Sequence, residues 1–277
     1  MMTDRYAVIG NPVAHSRSPL IHAEFARQTG QDMEYGRLLA PLDNFVASVQ
    51  RFRREGGRGL NVTLPFKLEA FTLAEQRSQR ALDAQAVNTL RFEADNVFGD
   101  NTDGVGLLRD LEVNLAFGLA GRRILLMGAG GAAQGTLGPL LAARPALLTI
   151  ANRSADKAQR LAERFAAAVR DAATQLRGGG YAELVGEAFD LVINATSASL
   201  QDSVPDLPAG VFAPGSLAYD MMYGSAPTRF LQRARGQGAA RLADGLGMLV
   251  EQAAESFLIW RGVRPHTAPV IEKLKAL

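Results

Sequence analysis

The sequence predicts an α/β protein of two domains, and three observations carry that expectation. Along the first hundred residues short apolar runs alternate with helical stretches, the pattern of a mostly parallel sheet covered by helices. At Arg123–Ala133 the segment RILLMGAGGAA passes from a buried strand through a glycine turn into a helix, as the first unit of a doubly wound, Rossmann-type dinucleotide-binding sheet does. Between the two lies GDNTDGVG, Gly99–Gly106, whose glycine and aspartate content suits a crossing between domains. The expected division is 1–102 with 247–277 for the first domain and 103–246 for the second, with the closing helices returning to pack on the first.

The composition narrows the function classes. Of 277 residues, 47% are hydrophobic and 21% charged, with a net charge of only +2, so nothing argues for nucleic acid or a membrane surface as partner. The densest basic run, Arg51, Arg53, Arg54 and Arg58, reads as a solvated helix end, where cations are favoured. There is no cysteine, which excludes disulfides and thiolate chemistry. No apolar run reaches about 18 residues and the N-terminus enters a strand directly, so a cytoplasmic protein is expected. No metal site is expected.

In chain order, Tyr6–Ile9, Tyr35–Leu39 and Gly59–Val62 read as strands, with helices at Pro19–Gln28 and Asp43–Arg54 between them. Ser18 before Pro19 reads as an N-cap followed by proline at the first helical position. The loop GNPVAHSRS before it puts the hydroxyls of Ser16 and Ser18 beside a helix N-terminus, which suits either a carboxylate ligand or simple capping of the turn. His15 and His22 read as loop and helix-surface residues. NVTLPFK, Asn61–Lys67, gathers Asn61, Thr63 and Lys67 where the third strand ends and Pro65 opens a helix; open α/β sheets place ligands at such carboxyl ends. A lysine desolvated there can exchange a proton near neutral pH, whereas a surface lysine cannot do so efficiently. Ala86–Phe92 and Val97–Gly99 read as strands joined through Glu93–Asn96, and Asn88, if buried, needs partners. Asp103 lies at a helix start, where a carboxylate is favoured with or without a catalytic role.

In the second half, Gly128, Ala129, Gly130, Gly131 and Ala132 form the turn and helix start suited to a pyrophosphate. After the next strand, Leu147–Ala151, NAD-specific folds place an acid for the ribose hydroxyls. Here stand Asn152, Arg153 and Ser154, with Lys157 one turn on. Arg153 can fork onto a 2′-phosphate or stack on adenine, so NADP is expected over NAD. Helices follow at Ala132–Ala143 and Ala155–Ala168, a loop at Arg177–Gly180, and strands at Phe189–Asn194 and Leu217–Asp220. From Leu246 an apolar stripe runs through Leu249, Val250, Ala253, Ala254, Phe257 and Leu258, leaving Gln252 free to face a ligand or solvent. A short helix begins at Pro265.

The segments GNPVAHSRSP, NVTLPFK, AVNT, NTDG, GAGGAA, NRS, NATS and DGLGMLVEQA together resemble the shikimate dehydrogenase family, in that family's order and over nearly the whole chain. The resemblance implies reversible reduction of 3-dehydroshikimate to shikimate with NADPH, by two α/β domains flanking a cleft. It implies that Ser16 and Ser18 hold the substrate carboxylate, that Asn61, Thr63, Asn88 and Gln252 hold ring hydroxyls, and that Lys67 and Asp103 are the catalytic pair. Tyr223 would close the substrate side, with Thr196, Met221 and Gly245 beside the cofactor. Ala23, Gln85 and Ser199 depart from the family pattern, which has Asn, Gly and Gly there. A dehydrogenase of the same superfamily that prefers quinate or an aminated analogue, or uses NAD, and a nucleotide-binding regulatory protein without catalysis, are the alternatives; the last predicts loss of Lys67 or Asp103, and both are present. The expected partner is a small-molecule substrate, and the expected form a monomer or homodimer.

Overall fold

The computed structural model describes residues 3–169, 173–196, 205 and 207–277; Ser197 of NATS and Ser199 lie outside them. The chain divides into two units, Met1–Gly106 with Leu249–Leu277, and Leu107–Met248, so that Asp103 lies in the first.

The first unit opens with β1 (Asp4–Gly10), α1 (Ser18–Thr29), β2 (Met33–Leu39), α2 (Phe45–Arg54), β3 (Gly57–Val62) and α3 (Lys67–Leu73), then β4 (Gln76–Arg77), α4 (Gln79–Ala84), β5 (Thr89–Phe92), β6 (Val97–Asp100) and the start of α5 (Asp103–Arg109). Its sheet has the order β2-β1-β3-β5-β6-β4. β1 runs parallel to β2 and β3, while β3–β5 and β5–β6 are antiparallel. β4 pairs parallel with β6, so the sheet is mixed, mostly parallel with β5 running against its neighbours. The reason is local: the short Glu93–Asn96 link can join only antiparallel neighbours. Two expectations are corrected here. Ser18 is the first residue of α1 and caps nothing, since Arg17 holds the N-cap position. The turn after β3 runs on through Pro65, so the helix starts at Lys67.

His22 is not a helix-surface residue but fully buried, stacked on Tyr35 with ring centroids 4.1 Å apart and beside Phe25 and Trp260. Neither ring nitrogen has a well-formed hydrogen bond. Burial pushes the imidazole down to about 3, the nearby Asn61 side chain opposing weakly. Between that value and the ordinary one near 6.5 the unfolded chain binds a proton that the native state refuses, so stability falls as pH drops through this window. Going from pH 7 to pH 5 should cost about 2 kcal/mol from this residue. Urea unfolding at both pH values, in wild type and His22→Phe, checks this: equal pH slopes in the two proteins would refute it.

The second unit continues with β7 (Arg123–Met127), α6 (Gly131–Ala142), β8 (Leu147–Ala151), α7 (Ala155–Phe165), β9 (Gln175–Gly179), β10 (Phe189–Asn194), β11 (Phe212–Asp220), α8 (Arg229–Gly236) and β12 (Arg241–Asp244). The order is β12-β11-β10-β7-β8-β9, with every pairing parallel. Alternate residues bury against opposite layers, Ile124, Leu126 and Ile193 on one face and Leu125, Met127 and Val192 on the other. That explains the continuous apolar runs, since both faces of such a sheet are covered. The chain ends with α9 (Leu246–Arg261) and α10 (Ala268–Lys275). Within the first unit the end of α9 is tied to the sheet: Trp260 Nε1 donates to the Leu90 carbonyl at 3.0 Å and Arg261 meets Asp4 at 2.5 Å.

The expected loop at Arg177–Gly180 is largely strand β9. Its glycines are there for close approach, since a Cβ on Gly178 would sit 2.2 Å from the Ala158 carbonyl oxygen of α7. Gly178→Ala should destabilise the protein by about 1–3 kcal/mol through overpacking. A thermal midpoint equal to wild type would show that β9 and α7 are not packed this closely.

Candidate active site

In the first unit, strand register assembles the polar residues. Asn61 lies opposite Thr89 and Thr89 opposite Asp100, so the carboxyl ends of β3 and β6 meet the start of β5 at one edge. Lys67 follows β3, Asn88 precedes β5 and Asp103 follows β6. Hydrogen bonds tie these segments: Val62 N donates to the Asn88 carbonyl at 2.7 Å, Asn88 N to the Asp100 carbonyl at 3.0 Å, and Val87 N to the Lys67 carbonyl at 3.0 Å. Asp100 itself is engaged by Arg80 at 2.6 Å and Ser78 at 2.5 Å.

Lys67 Nζ lies 2.5 Å from Asp103 Oδ2, with side chains 29% and 16% exposed. The other oxygen, Oδ1, accepts from Asn88 Nδ2 at 2.8 Å. The Asn88 amide can face only one way. Thr102 N–H, which can only donate, points at Asn88 Oδ1 at 2.9 Å, so the amide nitrogen is turned to Asp103. Asn101 completes the turn by accepting from Asp103 N at 3.1 Å. Asp103 thus receives two donors, one on each oxygen, and the Lys67 amine, which has more protons than this one bond uses, keeps a donor for a ligand.

Asn61 is buried. Its Oδ1 accepts from the Tyr35 hydroxyl at 2.7 Å and its Nδ2 reaches Ser256 Oγ at 2.9 Å and Thr89 Oγ1 at 3.2 Å. What remains for a ligand is acceptor capacity on Oδ1, suited to a hydroxyl that donates. Tyr35 is half-buried as a residue; burial holds its phenol well above the usual range, against a weaker contribution from Ser18, so it stays a donor. Ser18 N donates to Ser16 Oγ at 3.3 Å, and Arg37 grips the Ser16 carbonyl at 2.6 Å. Ser16 and Thr63 are half-buried and Ser18 is buried. Gln252 donates to the Leu249 carbonyl at 2.8 Å and stands 3.5 Å from Thr102 Oγ1. Sequence alone assigns no role to Tyr35, Thr89, Asn101, Thr102 and Ser256; of these Thr89 carried a signal as a member of AVNT, and Asn101 and Thr102 as members of NTDG. Gln85, in a left-handed conformation at φ 48° after α4, occupies a position where glycine would be unstrained.

In the second unit, β7 lies between β8 and β10, the switch point at which such sheets bind nucleotides. Gly128 has φ +107°, and a Cβ there would come 3.1 Å from Thr196 Cγ2. At Gly130 and Gly131, which open α6, a Cβ would meet nothing within 4 Å, leaving room for an anion against the free N–H groups of that helix. Thr196 is anchored to Asn194 Oδ1 at 2.7 Å, Asn194 donates to the buried Asp220 at 3.1 Å, and Met221 N donates to the Asn194 carbonyl at 3.0 Å. Gly245 packs on the Met221 backbone and Gly245 N donates to the Met222 carbonyl at 3.1 Å. Thr196, Met221 and Gly245 therefore share one edge with the glycine turn. Tyr223 is half-buried just after β11. At the end of β8, Asn152 donates to the Ser154 carbonyl at 3.0 Å, the Ser154 hydroxyl does not cap α7, and Arg153, Ser154 and Lys157 are exposed. Asp156 shares that first turn. Tyr181 lies near enough to Arg153 to feel its charge, although burial pushes its phenol up to about 12. These residues fit a dinucleotide carrying a 2′-phosphate.

Residues 8–90 match the shikimate dehydrogenase substrate binding domain, 112–201 the shikimate / quinate 5-dehydrogenase family and 245–275 the shikimate 5′-dehydrogenase C-terminal domain. A shikimate dehydrogenase (NADP(+)) of Aromatoleum aromaticum is 62% identical over 275 residues, covering 99% of this chain and 98% of the relative. The chain belongs to the shikimate dehydrogenase family. A solved member, shikimate 5-dehydrogenase of Thermus thermophilus in complex with NADP(H) and shikimate, superposes with a TM-score of 0.85 at 31% identity, covering 99% of each chain. An Ael1 enzyme from Pseudomonas putida superposes at 0.92 with 53% identity, covering 98% of each. Shikimate dehydrogenase ancestry accounts for the eight motifs standing in order. No helix among the described residues is long and apolar enough to cross a membrane.

Proposed function

We infer that this chain is an NADP-dependent shikimate dehydrogenase, an oxidoreductase that reversibly reduces 3-dehydroshikimate to shikimate on the route to aromatic amino acids. The observation that carries the chemistry is the Lys67–Asp103 pair, held by Asn88 at the edge of the first sheet.

In the reduction, NADPH supplies a hydride to the ketone carbon. Lys67 Nζ gives a proton to the oxygen that becomes the new hydroxyl, and in the oxidation takes it back. Asp103 holds the ammonium in line and accepts from the substrate hydroxyl, so that proton transfer needs no rearrangement. Asn61, Thr63, Asn88 and Gln252 read the ring hydroxyls, Ser16 and Ser18 the carboxylate, and Tyr223 closes the substrate side. Gly128 to Ala132 take the pyrophosphate of NADP, with Thr196, Met221 and Gly245 toward the nicotinamide. Asn152, Arg153, Ser154 and Lys157 take the 2′-phosphate. The domains that go with this reading are a substrate domain completed by the C-terminal helices and a cofactor domain from about α5 to α9. A cytoplasmic monomer or homodimer is its working form, which light scattering on the purified protein distinguishes.

Initial rates with NADP and NAD, each with shikimate and with quinate, test the proposal. Turnover concentrated on NADP and shikimate is expected. Equal use of NAD would overturn the 2′-phosphate reading, equal use of quinate the substrate reading, and no turnover the function itself.

A further inference from the structure

Two buried hydroxyls lie between the amides of Asn61 and Asn88 and have no part in the reading above. Thr89, at the start of β5, and Ser256, on α9 one turn beyond Gln252, are both fully buried, and their oxygens stand 2.7 Å apart. Thr89 donates to Asn88 Oδ1 at 2.9 Å and receives Asn61 Nδ2. Ser256 receives Asn61 Nδ2 and lies 3.3 Å from Thr102 Oγ1; since the Thr89 proton goes to Asn88, the Ser256 hydroxyl is the donor across the 2.7 Å contact, with the Gln252 carbonyl of its own helix, 3.0 Å away, competing for the same proton.

The direction of each amide is set by a main-chain group. Asn61 Nδ2 faces the Asn88 carbonyl, which can only accept, and Asn88 Oδ1 faces Thr102 N–H, which can only donate. The main chain thus settles which end points where, but not the tilt of either plane. That tilt is held by the two hydroxyls together with the Tyr35 hydroxyl on Asn61 Oδ1 and Thr102 Oγ1 on Asn88 Nδ2; among these Thr89 bonds both amides at once and Ser256 bonds Thr89 and Asn61, filling capacity that buried amides must satisfy. Asn88 in turn holds Asp103, and Asp103 holds Lys67. We propose that Thr89 and Ser256 are positioning residues, a hydroxyl pair that locks Asn61 and Asn88 together and through Asn88 sets the aim of the Lys67–Asp103 pair. The pair belongs to the protein interior and touches no substrate. Its effect is on how accurately the site's polar groups are presented, and hydrogen-bond chains of this kind are stiffest when every member is satisfied.

The proposal rests on the substrate reading given above, which wild-type turnover of shikimate tests by itself. The experiment compares wild type, Thr89→Val, Thr89→Ser and Ser256→Ala in steady-state shikimate oxidation, with KM for NADP and the thermal midpoint measured on each protein. Valine keeps the shape of threonine and deletes the hydroxyl; serine keeps the hydroxyl. Thr89→Val should lower kcat/KM for shikimate by about 10- to 100-fold, the range for small misplacements in an active site, while KM for NADP stays at its wild-type value. Thr89→Ser should restore kcat/KM. Ser256→Ala should show the same selective loss, and it carries the test if Thr89→Val does not fold. Wild-type kcat/KM in Thr89→Val or in Ser256→Ala overturns the pair, as does a Thr89→Ser variant as impaired as Thr89→Val, which would assign the effect to methyl packing. An inactive wild type would instead overturn the function itself.

Discussion

Lys67→Ala is expected to turn over shikimate about 100 to 10,000 times more slowly than wild type, the usual worth of a positioned acid–base group, or roughly 3 to 5 kcal/mol of barrier. The geometry says why the loss should appear in kcat. Lys67 Nζ is bonded to Asp103 at 2.5 Å and partly open to a ligand, whereas Asn61 and Asn88 are held by hydrogen bonds that do not involve the lysine side chain. Removing the ammonium therefore leaves the hydroxyl-binding frame standing. Asp103 keeps its bond from Asn88 and still accepts from substrate, but nothing takes the hydroxyl proton of shikimate as its hydride leaves, or returns it to the oxygen in the reverse direction. Steady-state kinetics with an independent measurement of shikimate affinity decides it. A variant that loses affinity and keeps its turnover number would make Lys67 a binding residue and refute its role as acid and base.

How much of this was legible beforehand depends on whether a residue's partners are near it in sequence. β7, β8 and β10 were readable because parallel strands buried on both faces are continuous apolar runs. β9 was not, because Gly178 and Gly179 look like a loop until α7 is seen lying against them. β4, α4 and β12 were missed because elements this short show no periodicity to count, whereas α8 does carry a signal, Phe230, Leu231 and Ala234 burying one face after the Thr228 cap. At the site, Lys67 and Asp103 stood out as charged residues where an element begins, but what holds Asp103 did not. Asn88 is oriented by the main chain of Thr102, and Thr89 and Ser256 meet only because β5 and α9 pack within the first unit. His22 was misread for the same reason: nothing local distinguishes a surface histidine from one stacked on Tyr35 beside Trp260.

The second large effect concerns the choice between the two nicotinamide cofactors. Arg153→Ala should weaken NADP by roughly 10- to 100-fold in KM, the worth of one lost charge-assisted hydrogen bond to a phosphate, while KM for NAD, which has no such phosphate, hardly moves. Arg153 and Lys157 are the cations at the end of β8, set against a single acid, Asp156, in the first turn of α7. The Ser154 hydroxyl makes no capping bond to that helix and has its O–H to donate to the same phosphate. Adding Asn152→Asp should carry the enzyme further and reverse its preference. The new carboxylate repels a 2′-phosphate and accepts from the two ribose hydroxyls of NAD, at the cost of the Asn152 bond to the Ser154 carbonyl. The readout is the ratio of kcat/KM for NADP to that for NAD, measured with shikimate saturating so that the substrate site contributes equally to both. If NADP preference survives in Arg153→Ala, the 2′-phosphate is held elsewhere. If Arg153→Ala impairs NAD and NADP alike, the guanidinium acts on the adenine face common to both and not on the phosphate. A fall confined to NADP leaves the charge at the end of β8 as the determinant.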